Sequence, residues 1–114
     1  MNKDSVYLEH MVICLQKISE YVAGGRADFF RSSLIQDAVL RNLQIMAESS
    51  QKLSSDLKQA NPLVDWRTLS GFRNVLAHDY LGIDLEIIWQ VVEKRVPGLM
   101  KAIRNIQVAK EDVP

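Results

Sequence analysis

The spacing of apolar residues is the feature that most restricts how this chain folds. Near the amino terminus these residues recur every three or four positions, as on one face of a helix. They are Leu8, Met11, Val12, Leu15, Ile18 and Val22. Only five glycines and three prolines interrupt the 114 residues, and no segment shows the sustained alternation typical of a strand. The sequence therefore predicts an all-α fold, an up-and-down bundle of four to five helices.

Aspartates mark the positions where helices are expected to begin, because a carboxylate ahead of a helix accepts a hydrogen bond from its first turn. They are Asp4, Asp28, Asp65 and Asp84. Glycine or proline marks the expected breaks. These are Gly24-Gly25, Asn61-Pro62 and Val96-Pro97, of which the last either kinks or ends a helix. We expect one domain over residues 1–108 and a short polar tail over residues 109–114.

The second predicted helix, from about Phe29 to Leu57, is apolar on more than one face. Its central apolar residues are Leu34, Ile35, Ala38, Val39, Leu40, Leu43, Ile45, Met46 and Ala47. A helix that is apolar nearly all round is stable only when both of its sides are covered. Because so short a chain has few elements to cover it, the sequence predicts a homodimer.

Composition excludes several classes of protein. The 14 Lys and Arg residues balance 14 Asp and Glu residues, which argues against broad nonspecific nucleic-acid binding but not against a local basic cleft. The single cysteine, Cys14, excludes an internal disulfide and a Cys-rich metal site. Without a signal-peptide pattern or an apolar run of about 18 residues, the chain is expected to be cytoplasmic, with no membrane span.

One segment concentrates chemically active side chains. It contains Arg73, Asn74, His78, Asp79 and Tyr80. Histidine exchanges a proton near neutral pH, and arginine is a permanent cation whose shape suits a phosphate. Together they supply proton transfer and charge stabilisation at phosphorus without a metal. The structural alternative is that an arginine and a histidine near a helix end complement the helix dipole.

Helical geometry limits how Arg73 and His78 meet. Five helical residues turn by about 500°, so the two positions point about 140° apart on a straight helix. They converge if the helix ends or bends before His78, or if a second copy brings its own pair across an interface. A second possible site, Cys14 with His10 four residues away, is interpreted as a packing coincidence on one helix.

The segment reads R-x4-H-x-Y and resembles the signature of the HepT-like toxins of the HEPN superfamily. The approach to it, from Asn61 to Asn74, resembles the family pattern of Pro, then Trp-Arg, then Gly-x-Arg-Asn. In all, the resemblance covers about residues 4–105. One departure is Ala47-Glu48-Ser49, where the family has Gly-Glu-Ala. Glycine lets two helices approach closely, so the contact of this helix with its neighbour is expected to differ.

The resemblance implies a metal-independent endoribonuclease that acts as a toxin and cleaves RNA in the cleft of a homodimer. Carried over residue by residue, Arg73 and His78 are the catalytic pair. Asn74, Asp79 and Glu48 support them, although the favoured interpretation of Asp79 is a solvated residue at a helix end. No metal and no cofactor is expected in this chain.

The resemblance also implies a partner, an MntA-like antitoxin of the nucleotidyltransferase fold. That antitoxin uses ATP to transfer AMP onto Tyr80 and so silences the nuclease. Two other functions stay open. In one, the chain is a non-catalytic HEPN companion of a nucleotidyltransferase, which binds a nucleotide or presents a substrate, and Arg73 and His78 hold a phosphate. In the other, it is a structural dimerisation bundle.

Overall fold

The structure is a computed structural model that describes the backbone of residues 3–78 and 84–111 and the side chains of residues 3–72 and 84–109. Its elements are α1 (Lys3–Tyr21), α2 (Arg26–Arg31), α3 (Ser33–Gln51), α4 (Ser55–Ala60), α5 (Trp66–His78), α6 (Leu85–Lys94) and α7 (Val96–Glu111). No strand occurs in these ranges. The all-α prediction is confirmed, with seven described helices rather than four or five.

The larger number arises because the predicted helix from Phe29 to Leu57 is wrong. That segment forms α2, α3 and α4, separated at Ser32 and at residues 52–54. Ser32 is extended, with φ −119° and ψ 109°, and its hydroxyl accepts a hydrogen bond from the Ile35 N–H at 3.2 Å. Ser54 caps α4 in the same way through the Leu57 N–H. The apolar spacing continues across both breaks and hides them, whereas serine is a common N-cap.

Two of the four predicted caps are confirmed. Asp65 accepts a hydrogen bond from the Thr68 N–H, and Asp84 accepts one from the Glu86 N–H. The other two are wrong. Asp28 lies inside α2 and pairs with Arg31, and Asp4 lies within the first turn of α1.

The breaks at glycine and proline agree with the sequence. Gly25 lies between α1 and α2 with φ 89°, a conformation that glycine adopts without strain. Asn61 ends α4. At Val96-Pro97 the helix ends rather than kinks: α6 stops at Lys94, and Pro97 takes the first turn of α7, where a missing N–H costs little. Helix α7 continues to Glu111, beyond the predicted domain limit at residue 108.

The core forms where α3 packs between α1 and α5, while α7 lies against α1 and α6. Its fully buried side chains come from four helices. They include Leu8, Met11, Leu15, Ile18, Phe29, Val39, Met46 and Ile103. The apolar spacing of the first helix is therefore its buried face. None of the described helices combines the length and the hydropathy that a membrane span needs.

Candidate functional site on helix α5

Helix α5 carries the predicted catalytic segment, and its start is tightly fixed. The Asp65 carboxylate accepts hydrogen bonds from the Thr68 N–H at 3.0 Å and from the Thr68 hydroxyl at 2.6 Å. These bonds hold the pKa of Asp65 below its ordinary value. The Trp66 indole N–H donates to the Asn61 carbonyl at 3.0 Å. The helix thus begins at a defined residue and in a defined direction.

Packing against α3 sets the rotation of α5 about its axis. Leu69 is buried and Phe72 is half-buried, and both belong to the hydrophobic core or its margin. Leu69 and Phe72 are three residues apart, so they lie on one face of the helix. The exposed Arg67 lies about 160° from Leu69 by helical geometry. One side of α5 is therefore anchored, and the opposite side is open to solvent.

The structure places three of the predicted site residues on α5. Arg73, Asn74 and His78 lie in its last two turns, and Asp79 and Tyr80 lie outside the described residues. The helix continues through His78, so a helix end ahead of His78 does not bring it to Arg73. Positions 73 and 78 are about 140° apart on a regular helix, whereas 74 and 78 share a face.

Glu48 lies on α3, the helix against which α5 packs. It is half-buried, while Ala47 and Ser49 on either side of it are buried. Within residues 3–72 and 84–109, Glu48 has no hydrogen bond or ion pair. Ala47 is fully buried at the position where the resembled family has glycine. Its methyl group therefore occupies space at this helix contact that a glycine would leave empty.

The pair of Cys14 and His10 is not arranged as a nucleophile and its base. Cys14 is buried, and burial raises the pKa of its thiol. A reactive cysteine needs the opposite shift, because the thiolate is the nucleophile. The exposed His10 instead meets the ring of Tyr7 edge-on, with centroids 6.1 Å apart. These observations support a packing role for Cys14.

An open pocket of about 320 Å³ lies beside α5, and the sequence did not predict it. It is bounded by α3, by the first two turns of α5, by the end of α6 and by the start of α7. Lys94 and Arg95 stand at its edge together with Asp65. The lining residues of the pocket come from separate parts of the chain, so no local sequence pattern indicates it. Within the described side chains, no three His, Cys, Asp or Glu residues gather as a metal site.

Comparison with known proteins identifies relatives along most of the chain. The family model described as "Ribonuclease HepT-like" matches residues 11–106. A protein of Methanocaldococcus jannaschii named "Gamma-glutamylcyclotransferase and putative RNase" is 33% identical over 108 residues, which is 93% of this chain and 49% of that protein. This chain therefore spans about half the length of that relative. No solved structure matches the chain.

Two shorter relatives are similar over most of their own length. A "Putative RNase" of Caldanaerobacter subterraneus subsp. tengcongensis is 31% identical over 101 residues, which is 88% of this chain and 90% of that protein. The "Probable ribonuclease HepT" of Thermococcus cleftensis is 32% identical over 94 residues, covering 82% of this chain and 86% of its own.

Proposed function

This chain belongs to the HepT-like ribonuclease family, and we propose that it is a metal-independent endoribonuclease, the toxin of a toxin–antitoxin pair. One observation carries the assignment of the site. Helix α5 is continuous from Trp66 to His78, is capped at its start and is anchored on α3, so the backbone positions of Arg73 and His78 belong to one helix. Rigid elements position catalytic groups more precisely than loops do.

The chemistry assigned to the pair is an internal transfer at phosphorus. The ribose 2′-oxygen attacks the adjacent phosphorus, and the bond from phosphorus to the 5′-oxygen breaks. The 2′-hydroxyl proton goes to a His78 imidazole, and an imidazolium supplies a proton to the leaving 5′-oxygen. The products are a 2′,3′-cyclic phosphate and a 5′-hydroxyl. Arg73 neutralises the charge that gathers on the five-coordinate phosphate.

In a homodimer, the two His78 side chains supply both the proton acceptor and the proton donor. Positions 73 and 78 diverge on a single helix, so convergence comes from a partner copy that brings its own Arg73 and His78. A partly apolar face of α3 supports this arrangement. Leu34 is 79% exposed, and Ala38 and Ile45 are half-buried. By helical geometry these three fall within a sector of about 80° that also holds the exposed Arg41 and the half-buried Glu48.

Modification of Tyr80 provides the regulation. An antitoxin of the nucleotidyltransferase fold transfers AMP from ATP to the Tyr80 hydroxyl, so a bond from oxygen to phosphorus forms and pyrophosphate leaves. The new phosphate adds negative charge two residues from His78. That charge repels the RNA backbone and competes for Arg73, as phosphorylation does at arginine clusters. A Tyr80→Phe variant is expected to stay toxic when the antitoxin is present.

Cleavage of RNA by the purified chain, in the presence of a chelator, tests the proposed activity. His78→Ala and Arg73→Ala are each expected to lose about 10²–10³-fold in rate, since a single electrostatic donor has an effect of that size. His10→Ala is the matched control, because His10 is an exposed histidine on α1. Undiminished cleavage by His78→Ala contradicts the assignment. Intact RNA and normal growth on induction of the wild-type chain favour the non-catalytic companion.

A further inference from the structure

The pocket beside α5 has the chemistry of a binding site for a flat ring. Its apolar wall includes Leu69 and Phe72 of α5 and Leu99 of α7. Phe72 is only half-buried, so part of its ring is accessible from the pocket. A volume of about 320 Å³ is at the small end of the range for ligand sites. A single aromatic ring system fits these dimensions.

The edge of the pocket is polar and holds charges of both signs. Lys94 and Arg95 are exposed, and neither forms an ion pair with the described residues. Each Asp65 carboxylate oxygen accepts one hydrogen bond from Thr68, and a carboxylate oxygen has room for a second. Arg95 lies close enough to Asp65 to help lower the pKa of that carboxyl. The edge therefore offers two exposed cations, of which Arg95 lies near Asp65, and one hydrogen-bond acceptor.

We propose that this pocket binds a nucleobase of the RNA substrate, while Lys94 and Arg95 bind the phosphate of that nucleotide. A base stacks on an aromatic side chain regardless of its identity. Asp65 accepts a hydrogen bond from an exocyclic amino group, which adenine and cytosine carry and uracil lacks. The two cations neutralise phosphate charge. This subsite rests on the proposed ribonuclease function and adds a base preference to it.

The pocket and the proposed catalytic positions lie on the same helix but on different sides of it. Phe72 immediately precedes Arg73 in the chain, and His78 follows Phe72 by six residues, a rise of about 9 Å along the helix. By helical geometry, positions 73 and 78 are about 100° and about 120° around the axis from Phe72. The pocket is therefore assigned to a nucleotide that lies away from the cleaved bond on the same strand.

Charge favours RNA over an apolar segment of a second copy. An apolar segment fills the pocket but leaves the exposed Lys94 without an anion among the described residues, whereas Arg95 already has Asp65 nearby. A nucleotide places its base against the apolar wall of the pocket and its phosphate beside the cations at the edge. Contact between two copies is the alternative outcome of the test.

The test measures binding of short single-stranded oligonucleotides to the His78→Ala protein by fluorescence anisotropy. Gly98→Leu fills the pocket: Gly98 lines it, and a Cβ built there meets nothing within 4 Å. We expect about tenfold weaker binding, the loss of one stacked base. Lys94→Gln and Arg95→Gln weaken binding of all sequences, and Lys101→Gln, an exposed lysine of α7 outside the pocket, does not.

Base preference gives a second readout. Oligoadenylate and oligocytidylate are expected to bind the His78→Ala protein more tightly than oligouridylate. Asp65→Asn retains a helix-capping side chain and is expected to reduce that preference.

The inference is overturned if Gly98→Leu binds RNA as tightly as its parent, or if no oligonucleotide binds. It is also overturned if Gly98→Leu separates a dimer into single chains without changing RNA affinity. Cleavage by the wild-type chain is scored separately, so the proposed ribonuclease function stands when only the pocket fails.

Discussion

Asp4, in the first turn of α1, accepts two hydrogen bonds from Ser54, one from its N–H at 2.8 Å and one from its hydroxyl at 2.6 Å. The two residues are 50 positions apart in the chain, and Asp4 is only 6% exposed. The Ser54 hydroxyl also accepts from the Leu57 N–H and so caps α4. The corner that leads from α3 towards α5 is thereby fixed to α1.

Replacement of Asp4 by alanine is expected to lower the free energy of unfolding by about 1.5–3 kcal/mol, the range for hydrogen bonds to a charged group. The cost arises because the Ser54 N–H and hydroxyl lose the acceptor that the buried Asp4 carboxylate provides. Urea denaturation of Asp4→Ala beside Ser5→Ala, its exposed neighbour, measures it. Equal denaturation midpoints for the two variants contradict a stabilising role for this contact.

Two adjacent phenylalanines in α2 are expected to differ in their effect on stability. Phe29 is fully buried and its ring lies 5.4 Å from that of Trp89, whereas Phe30 is half-buried beneath Arg26. Phe29→Ala is expected to cost about 3–5 kcal/mol because it leaves a cavity that the core fills only partly. Phe30→Ala, measured by the same thermal or chemical denaturation, is expected to cost clearly less. A reversed order would show that α2 is not docked through Phe29.

The pKa of Asp65 links the start of α5 to pH. Hydrogen bonds from Thr68 lower the pKa of this carboxyl in the folded chain, so the ionised form is favoured by folding. Its contribution to stability is present above the unfolded pKa and is lost as pH falls through the folded pKa. The difference in stability between wild type and Asp65→Asn is expected to shrink as the pH falls below about 4, the ordinary pKa of an aspartate. Asp37→Asn, at an exposed position of α3, is the control. A difference that is constant with pH contradicts the assigned hydrogen bonds.

The sequence predicted the helical class and the buried face of α1 because both depend on local spacing. It also predicted the caps at Asp65 and Asp84, where an aspartate follows a break and precedes a segment of helical spacing. It missed the breaks at Ser32 and Ser54, since apolar residues continue at helical spacing on both sides of each serine. A capping hydroxyl and its N–H partner are too small a signal to outweigh that spacing.

The residues of the candidate site were also only partly predictable from the sequence. Residue types and the R-x4-H-x-Y pattern identified Arg73 and His78, and the structure places both on α5. Spacing alone left open whether the helix ended before His78, because that depends on how α5 packs on α3. The pocket edged by Lys94 and Arg95 joins segments about 30 residues apart, and no local pattern encodes it.

The partly apolar face of α3 makes the proposed homodimer testable with one substitution. Leu34 is 79% exposed in a single chain, so Leu34→Glu leaves the fold of that chain intact but places a charge in the proposed interface. Light scattering is expected to give the wild type twice the 13.0 kDa mass of one chain, and the variant 13.0 kDa. RNA cleavage is expected to fall with the dimer, because each copy supplies part of the site. Val108→Glu, at a 55% exposed position on α7, is the matched control and is expected to change neither property. If the Leu34→Glu protein remains dimeric, the interface lies elsewhere. If a monomeric variant cleaves RNA at the wild-type rate, the site is not shared between two copies.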